Sequence, residues 1–344
     1  MHHHPTPTWS GTWPEDLGSS RTAVLIPVYE DWVAVARLVG MLDNVLAESG
    51  DSASVFLVDD GSTSEPGDLF DGMRFDAVES VSVIRLRRNL GHQRAICIGL
   101  AYLAANHSYE EVVVMDGDGE DDPRDVPRLL QSLRSDPGRP VVFAERTRRS
   151  EGGAFTLGYA IYRVLHRILT GKRIRVGNFS AIPRRRLHSI VTVPELWNHY
   201  AAAVMVSRQP HRLVPTSRAR RLAGEGRMSY TSLVVHGLSA ISVYSDVVGT
   251  RLLVGAGVVF VLASLALAAV FAIRLGTDLA IPGWATYSAG LLFLVLLQTI
   301  SFGLLFTFLV LGNRKGATVI PARDYVHFID GVEPIVSAAT SARV

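Results

Sequence analysis

Along the first 144 residues, short apolar runs alternate with longer segments whose apolar side chains recur every three or four positions. Ala23–Val28, Val55–Val58, Val81–Leu86, Glu111–Met115 and Val141–Ala144 are short and apolar on both faces, which predicts five buried strands. Val35, Leu38, Val39, Leu42 and Leu46 have the spacing of one helix face over Trp32–Glu48. A second helix is expected over Gln93–Ala105, after Gly91. A third follows Asp122-Pro123, an N-cap and a first-turn proline, and runs through Leu133. Strands and helices in alternation predict an α/β fold, a mostly parallel sheet with helices on both faces. Ligands of such sheets bind beyond the carboxyl ends of the strands, and polar clusters stand at these ends here.

The pattern changes after residue 150. Phe155–Leu169 has amphipathic helical periodicity, Gly171–Phe179 reads as a turn into an extended piece, and Arg208–Thr216 as a strand. Ser217–Arg227 is an Arg/Gly-rich loop. Tyr230–Val248 carries apolar residues on one helical face with Ser, Thr and His opposite, the pattern of a helix lying in a membrane interface. Leu252–Ile273 is 22 residues without a charge, about 33 Å as a helix and enough to cross a ~30 Å hydrocarbon layer. Ala285–Leu311 adds 27 residues in which Gln298 is the strongly polar side chain. The alternative, two buried helices of a soluble core, fits these lengths poorly. Arg251 precedes the first span, and Arg314, Lys315 and Arg323 follow the second, so the positive-inside rule places both termini in the cytoplasm. Thr6–Ser20 is polar and contains no signal-peptide core.

Charge sharpens this division. The 34 basic and 32 acidic residues sum to +2, a balance that gives no reason to expect a nucleic-acid partner. The near-neutral total hides two opposed regions. Residues 1–130 hold 9 basic and 22 acidic side chains, whereas 163–227 hold 14 basic ones against Glu195 and Glu225. An acidic half suits a divalent metal, and a basic segment just before a span suits anionic lipid or phosphate. Simple attraction between the two halves is the plainer alternative. The single cysteine, Cys97, excludes an intramolecular disulfide and a Cys-based zinc site, and is expected as a buried, reduced thiol.

The densest chemistry is Asp116, Asp118, Glu120, Asp121 and Asp122, five carboxylates in seven residues at a strand end. They repel one another unless a cation sits among them, and oxygen ligands of this kind suit Mg²⁺ or Mn²⁺. A solvated acidic loop is the bland alternative. Asp59 and Asp60 end the neighbouring strand and can accept hydrogen bonds from a ribose or a base edge. Neither a P-loop nor a Gly-x-Gly-x-x-Gly turn follows the first strand. His92, His199 and His236 are scattered, and no ligand role is assigned to them.

Four segments together carry a resemblance. Pro27-Val28-Tyr29-Glu30-Asp31, Val58-Asp59-Asp60-Gly61-Ser62, Arg88-Asn89-Leu90-Gly91 and Asp116-Gly117-Asp118 stand in the order and spacing of family 2 glycosyltransferases of the GT-A fold. Gly177-Asn178-Phe179-Ser180, the Arg218–Glu225 segment and the two C-terminal spans resemble the polyprenyl-phosphate glycosyltransferases, the group of dolichol-phosphate mannose synthase and GtrB-like enzymes. The likeness covers about residues 21–312. It implies that Pro27, Tyr29, Glu30, Asp31, Asp59 and Asp60 line the donor nucleotide site. It implies that Asp116, Asp118 and Glu120 face Mg²⁺ or Mn²⁺ and the diphosphate, with Asp118, Asp116 and Arg146 catalytic. Arg146, Arg218 and Arg221 would receive the acceptor phosphate. The family usually has Asn-Glu at Glu30-Asp31 and Gln at Glu120. It often has an acid at Asn178, and a Ser-Lys pair at Gly226-Arg227.

Such an enzyme would move a sugar, with inversion, from a nucleotide-diphosphate sugar to undecaprenyl or decaprenyl phosphate. A phosphate monoester has its second pKa near ~6 and is already anionic at neutral pH. It therefore attacks without a general base, and an Asn at 178 is no obstacle. A processive polysaccharide synthase is a rival reading, but it would carry a Gln-x-x-Arg-Trp motif and more spans, and neither is found. A catalytically silent scaffold of the same fold is another. The expected division is a flexible tail (1–20), a cytoplasmic GT-A catalytic domain (21–228), a juxtamembrane interfacial helix (229–248), two transmembrane helices (249–312) and a weakly structured cytoplasmic tail (313–344). The expected place is the inner membrane, in contact with lipid, and a homo-oligomer is compatible with all of this.

Overall fold

The computed structural model describes residues 21–146, 164, 167–171, 176–217, 219–222, 239–277, 281, 283–313 and 319–337. The chain divides into two units, one of residues 1–150, 174–232 and 319–344, the other of residues 151–173 and 233–318.

The first unit is built on one eight-stranded sheet. Its strands are β1 (Thr22–Val28), β2 (Ala53–Asp59), β3 (Val78–Leu86), β4 (Glu111–Val114), β5 (Val141–Arg146), β6 (Val176–Pro183), β7 (His211–Thr216) and β8 (Ile329–Ser337), in the order β7-β5-β6-β4-β1-β2-β3-β8. β1 runs parallel to β2 and β4, β2 to β3, and β5 to β7, while β6 and β8 are antiparallel to their neighbours.

The apolar runs are unbroken because both faces are covered. Successive strand side chains point to opposite faces. Val24, Ile26 and Val28 pack with α1 (Trp32–Ser49) and α3 (Val126–Arg134), whereas Ala23 and Leu25 pack with α2 (His92–Asn106). Two short helices that the sequence pattern does not announce, α4 (Arg184–Ile190) and α5 (Tyr200–Val206), join α2 in that second core. Cys97 is buried there as a free thiol.

The C-terminal segment differs from expectation. Residues 313–344 are not simply a tail, because 329–337 form β8, which closes the β3 edge of the sheet. Ile329 and Val332 pack on one core, and Ile335 and Val336 on the other. Gly331 and Pro334 disguise this strand in the sequence. A proline is tolerated because β8 is an edge strand, and the pairing shifts register where Pro334 meets Ser82. The first unit therefore includes chain from both sides of the apolar helices.

The second unit contains α6 (Ser245–Gly276) and α7 (Trp284–Asn313), of 32 and 30 residues. Both are long and apolar enough to cross a membrane. They pack closely where Phe306 lies over Gly249, a position at which an added Cβ would stand 2.5 Å from the ring. Most of the expected helix Phe155–Leu169 lies outside the described residues, and the described 167–169 are helical. Residues 230–238 of the expected interfacial helix also lie outside them. The remainder is helical over 239–242, turns at 243–244 and enters α6 at Ser245, so the first long helix begins before Leu252.

Candidate active site

The carboxyl ends of β1, β2 and β4 lie side by side, and the loop after β7 returns across them. The Asp60 N–H donates to the Val28 carbonyl at 2.9 Å, and the Met115 N–H to that of Leu25 at 3.1 Å. This ladder brings residues 29–31, 59–62 and 116–120 into one place.

Asp59 and Asp60 hold the β2 end in different ways. Asp60 is buried, and its oxygens accept the N–H groups of Leu90 (2.7 Å) and Gly91 (2.8 Å). Burial is the larger influence on its carboxyl and pushes the pKa up to about 6, against the pull of those two donors. Gly61 has φ +73°, and an added Cβ would lie 2.6 Å from the Asn89 nitrogen, so only glycine lets the two turns approach. The second and third motifs are thereby one construction. Asp59 accepts the Ser62 N–H at 2.9 Å and lies 3.6 Å from Arg85, which also binds Glu65 and, on β8, Glu333.

At the β1 end, Tyr29 is exposed and Pro27 pairs with Val58 within the sheet. Glu30 has a positive φ of 54°, and its N–H donates to Ser62 Oγ at 3.0 Å. Its carboxylate accepts from the Thr63 N–H, the Thr63 hydroxyl and the Ser64 hydroxyl. The Ser64 hydroxyl and the two Thr63 donors lower its pKa to about 2. Glu30 is thus a clip between two loops.

The β4 end carries the carboxylate cluster. The Asp118 side chain accepts the Glu120 N–H at 3.0 Å on Oδ1, and its Oδ2 is 3.5 Å from Arg221 Nη1. Arg221 Nη2 is 2.9 Å from Asp31 Oδ2. Burial raises the Asp118 pKa, and Glu120 and Asp121 push in the same direction, while the Glu120 N–H and Arg221 oppose it. Asp116 accepts from Asn178 Nδ2 at 3.0 Å, and the Asp116 N–H donates to Asp121 at 3.0 Å. The Leu222 N–H donates to the Asp118 carbonyl and the Ala219 N–H to that of Glu120, each at 3.0 Å. Leu222 lies over Gly119, whose φ is +80° and where an added Cβ would be 2.3 Å from Leu222 Cγ.

A divalent ion fits this arrangement in a restricted sense. Burial, with the neighbouring carboxylates of Glu120 and Asp121, raises the Asp118 pKa, a cost that a cation would offset. Yet among the described residues no three His, Cys, Asp or Glu side chains form a ligand group. Asp116, Asp118 and Glu120 are not brought together as a ready three-ligand set, because Asp116 turns to Asn178 and Arg221 lies against Asp118. The donor set suits an ion held by one or two carboxylates with a substrate diphosphate completing it, as Mg²⁺ commonly is.

Arg218 lies outside the described residues, as does the side chain of Arg146, whose backbone ends β5 opposite Thr216. Several partners escaped the sequence reading. Gln93, Tyr200, Arg85 and Glu333 carry no local signal, since each matters only through a contact distant in sequence. His199 caps α5, accepting the Ala202 N–H.

A sequence profile described as "Glycosyl transferase family 2" matches residues 23–190. The undecaprenyl-phosphate 4-deoxy-4-formamido-L-arabinose transferase of Enterobacter sp. (strain 638) is 23% identical over 225 residues, 62% of this chain and 64% of that protein. The chain thus spans just under two thirds of that relative's length. An uncharacterized glycosyltransferase, YkcC of Bacillus subtilis, is 24% identical over 315 residues, 88% of this chain and 90% of that protein. A solved glucosyl-3-phosphoglycerate synthase of Mycobacterium tuberculosis, in complex with Mn²⁺, UDP-glucose and phosphoglyceric acid, overlaps 67% of this chain and 80% of its own. At 17% identity and a TM-score of 0.48 that overlap adds nothing to the profile match. Residues 23–190, just under half of the chain, thus carry the sequence profile of family 2 glycosyltransferases, and their strands lie in the mostly parallel sheet described above.

Proposed function

We propose that this enzyme transfers a sugar, with inversion, from a nucleotide-diphosphate sugar to a polyprenyl phosphate at the cytoplasmic face of the inner membrane. The observation that carries the reading is the union, in one chain, of strand-end carboxylates with two helices long and apolar enough to span a bilayer. An enzyme with a soluble acceptor has no need of such an anchor. A polyprenyl acceptor keeps its phosphate at the interface and has to be met there.

The sheet supports the topology. β8 follows α6 and α7 in sequence yet hydrogen-bonds to β3. One sheet cannot be divided by a bilayer, so the chain entering the helices and the chain leaving them lie on one side, as an even number of spans requires. The positive flanks Arg251, Arg314, Lys315 and Arg323 make that side cytoplasmic.

In this reading Asp59, Tyr29 and Asp31 face the nucleoside, with Glu30 and Asp60 shaping the wall from behind. Asp118, assisted by Asp116, holds Mg²⁺ or Mn²⁺; the metal, when bound, supplies positive charge for the departing diphosphate. Arg146, Arg218 and Arg221 compensate the acceptor phosphate, whose anionic oxygen attacks in line. Membranes containing the enzyme, incubated with undecaprenyl phosphate and a panel of nucleotide sugars, are expected to yield one glycolipid identified by mass. No glycolipid from any donor would overturn the reading.

A further inference from the structure

Behind Asp116 runs a chain of side-chain amides whose direction is set by a backbone group. The Tyr200 N–H, which can only donate, reaches Gln93 Oε1 at 2.7 Å. The other end of that amide, Gln93 Nε2, therefore faces Asn178 and donates to Asn178 Oδ1 at 2.9 Å. Asn178 is oriented in turn, and its Nδ2 donates to Asp116 Oδ1 at 3.0 Å. His92 Nε2 lies 3.0 Å from the same Gln93 nitrogen, and burial lowers the His92 pKa, favouring the neutral ring that can accept there. Ser180 secures the other side of Asn178, since its hydroxyl donates to the Asn178 carbonyl at 2.8 Å and lies 2.7 Å from the Tyr200 hydroxyl. Gln93, Asn178 and Tyr200 are all buried.

We propose that Asn178 is a positioning residue that presents Asp116 to the cation and donor diphosphate, through an amide relay anchored on the Tyr200 N–H. An asparagine can accept and donate at this place at once. An aspartate could accept from Gln93 but would set a second carboxylate oxygen at about the 3.0 Å at which Asn178 now donates to Asp116. A leucine would leave Gln93 Nε2 and Asp116 Oδ1 without this contact. The relay holds Asp116 through its Oδ1. Groups that orient a ligand from behind in this way commonly contribute 10- to 100-fold in metal affinity.

This rests on the proposed metal-assisted transfer, and the test separates the two. Mn²⁺ binding to the full-length enzyme in detergent, without substrates, is followed by the electron paramagnetic resonance signal of free Mn²⁺. Asn178→Ala is expected to raise the Mn²⁺ Kd roughly 10- to 100-fold and the donor KM with it, leaving the acceptor KM unchanged. Gln93→Ala, which removes the anchor but leaves Asn178 in place, is expected to shift both in the same direction by less. A packing role alone would lower Tm in these variants without moving either constant. A Mn²⁺ Kd and donor KM within twofold of wild type in both variants, in an enzyme that makes glycolipid, would overturn the relay and leave the function standing. A wild-type enzyme that binds no Mn²⁺ would overturn it as well. Absence of glycolipid from wild type with every donor is the separate failure of the functional reading.

Discussion

Arg221 lies against Asp118, its Nη1 3.5 Å from Asp118 Oδ2, while its Nη2 holds Asp31 at 2.9 Å. A divalent cation held by Asp118, as proposed, would compete with this guanidinium for the same carboxylate. Arg221→Ala is expected to tighten Mn²⁺ binding to the free enzyme and to weaken acceptor use. Loss of one charge-assisted contact costs about 1.5–3 kcal/mol, or roughly 10- to 150-fold in acceptor kcat/KM. Separate donor and acceptor titrations in detergent check this, and unchanged acceptor kinetics would place the phosphate elsewhere.

Asp118 ends the turn that carries the cluster. Asp118→Asn keeps the size of the side chain and removes its charge, so turnover should be lost while the helices still insert. Excess EDTA should have the same effect on wild type. Activity retained in either condition would remove the metal from the reaction.

Glu30 and Asp60 respond to pH in opposite senses. The folded pKa of Glu30 is about 2, below its ordinary 4.5, so the ionised clip stabilises the fold above pH 4.5 and is lost as pH falls toward 2. The folded pKa of Asp60 is raised from 3.8 to about 6, so its contribution is full below 3.8 and is lost as pH rises through about 6. Carboxyl carbon NMR titration of the labelled protein should find Glu30 below 4 and Asp60 above 5, each to within about one unit. The reverse order would refute the assignment. Glu30→Gln should raise donor KM more than it lowers kcat.

Asp43 is a buried carboxylate with no place in the chemistry. It accepts the N–H groups of Asp76 (3.1 Å), Ala77 (2.8 Å) and Val78 (2.8 Å), joining α1 to the start of β3. Asp43→Ala leaves three donors unpaired, two of them in buried contacts, and is expected to destabilise by about 2–4 kcal/mol. Thermal melting should show the loss, with donor and acceptor KM unchanged in the folded fraction.

Strand β8 is expected to be structural. Truncation after Phe328 opens the β3 edge and removes Ile329, Val332, Ile335 and Val336 from their packing, a loss of about 4 kcal/mol for four partly buried side chains. A lower Tm and association through the exposed edge should follow. Light scattering and melting of the truncated enzyme check this, and an unaltered Tm would return residues 329–337 to the status of a tail.

Local pattern was enough to place β2 and β4, whose ends lead into Asp60 and Asp116, the helices packed on the sheet and the two long apolar helices. Buried parallel strands and membrane helices are written in runs of neighbouring residues, where period and length are visible without knowledge of the fold. The cluster at Asp116–Asp122 was legible for the same reason. Tertiary structure alone decided what each polar group does there. Asp60 is engaged by backbone 30 residues away, Arg221 meets Asp118 across 103 residues, and Tyr200 orients Gln93 across 107. β8 was hidden because Gly331 and Pro334 are poor strand formers, and it is a strand only because β3 offers an open edge. Hydrogen-bond donors take whichever acceptor the chain's path brings within about 3 Å, and no local pattern records that path.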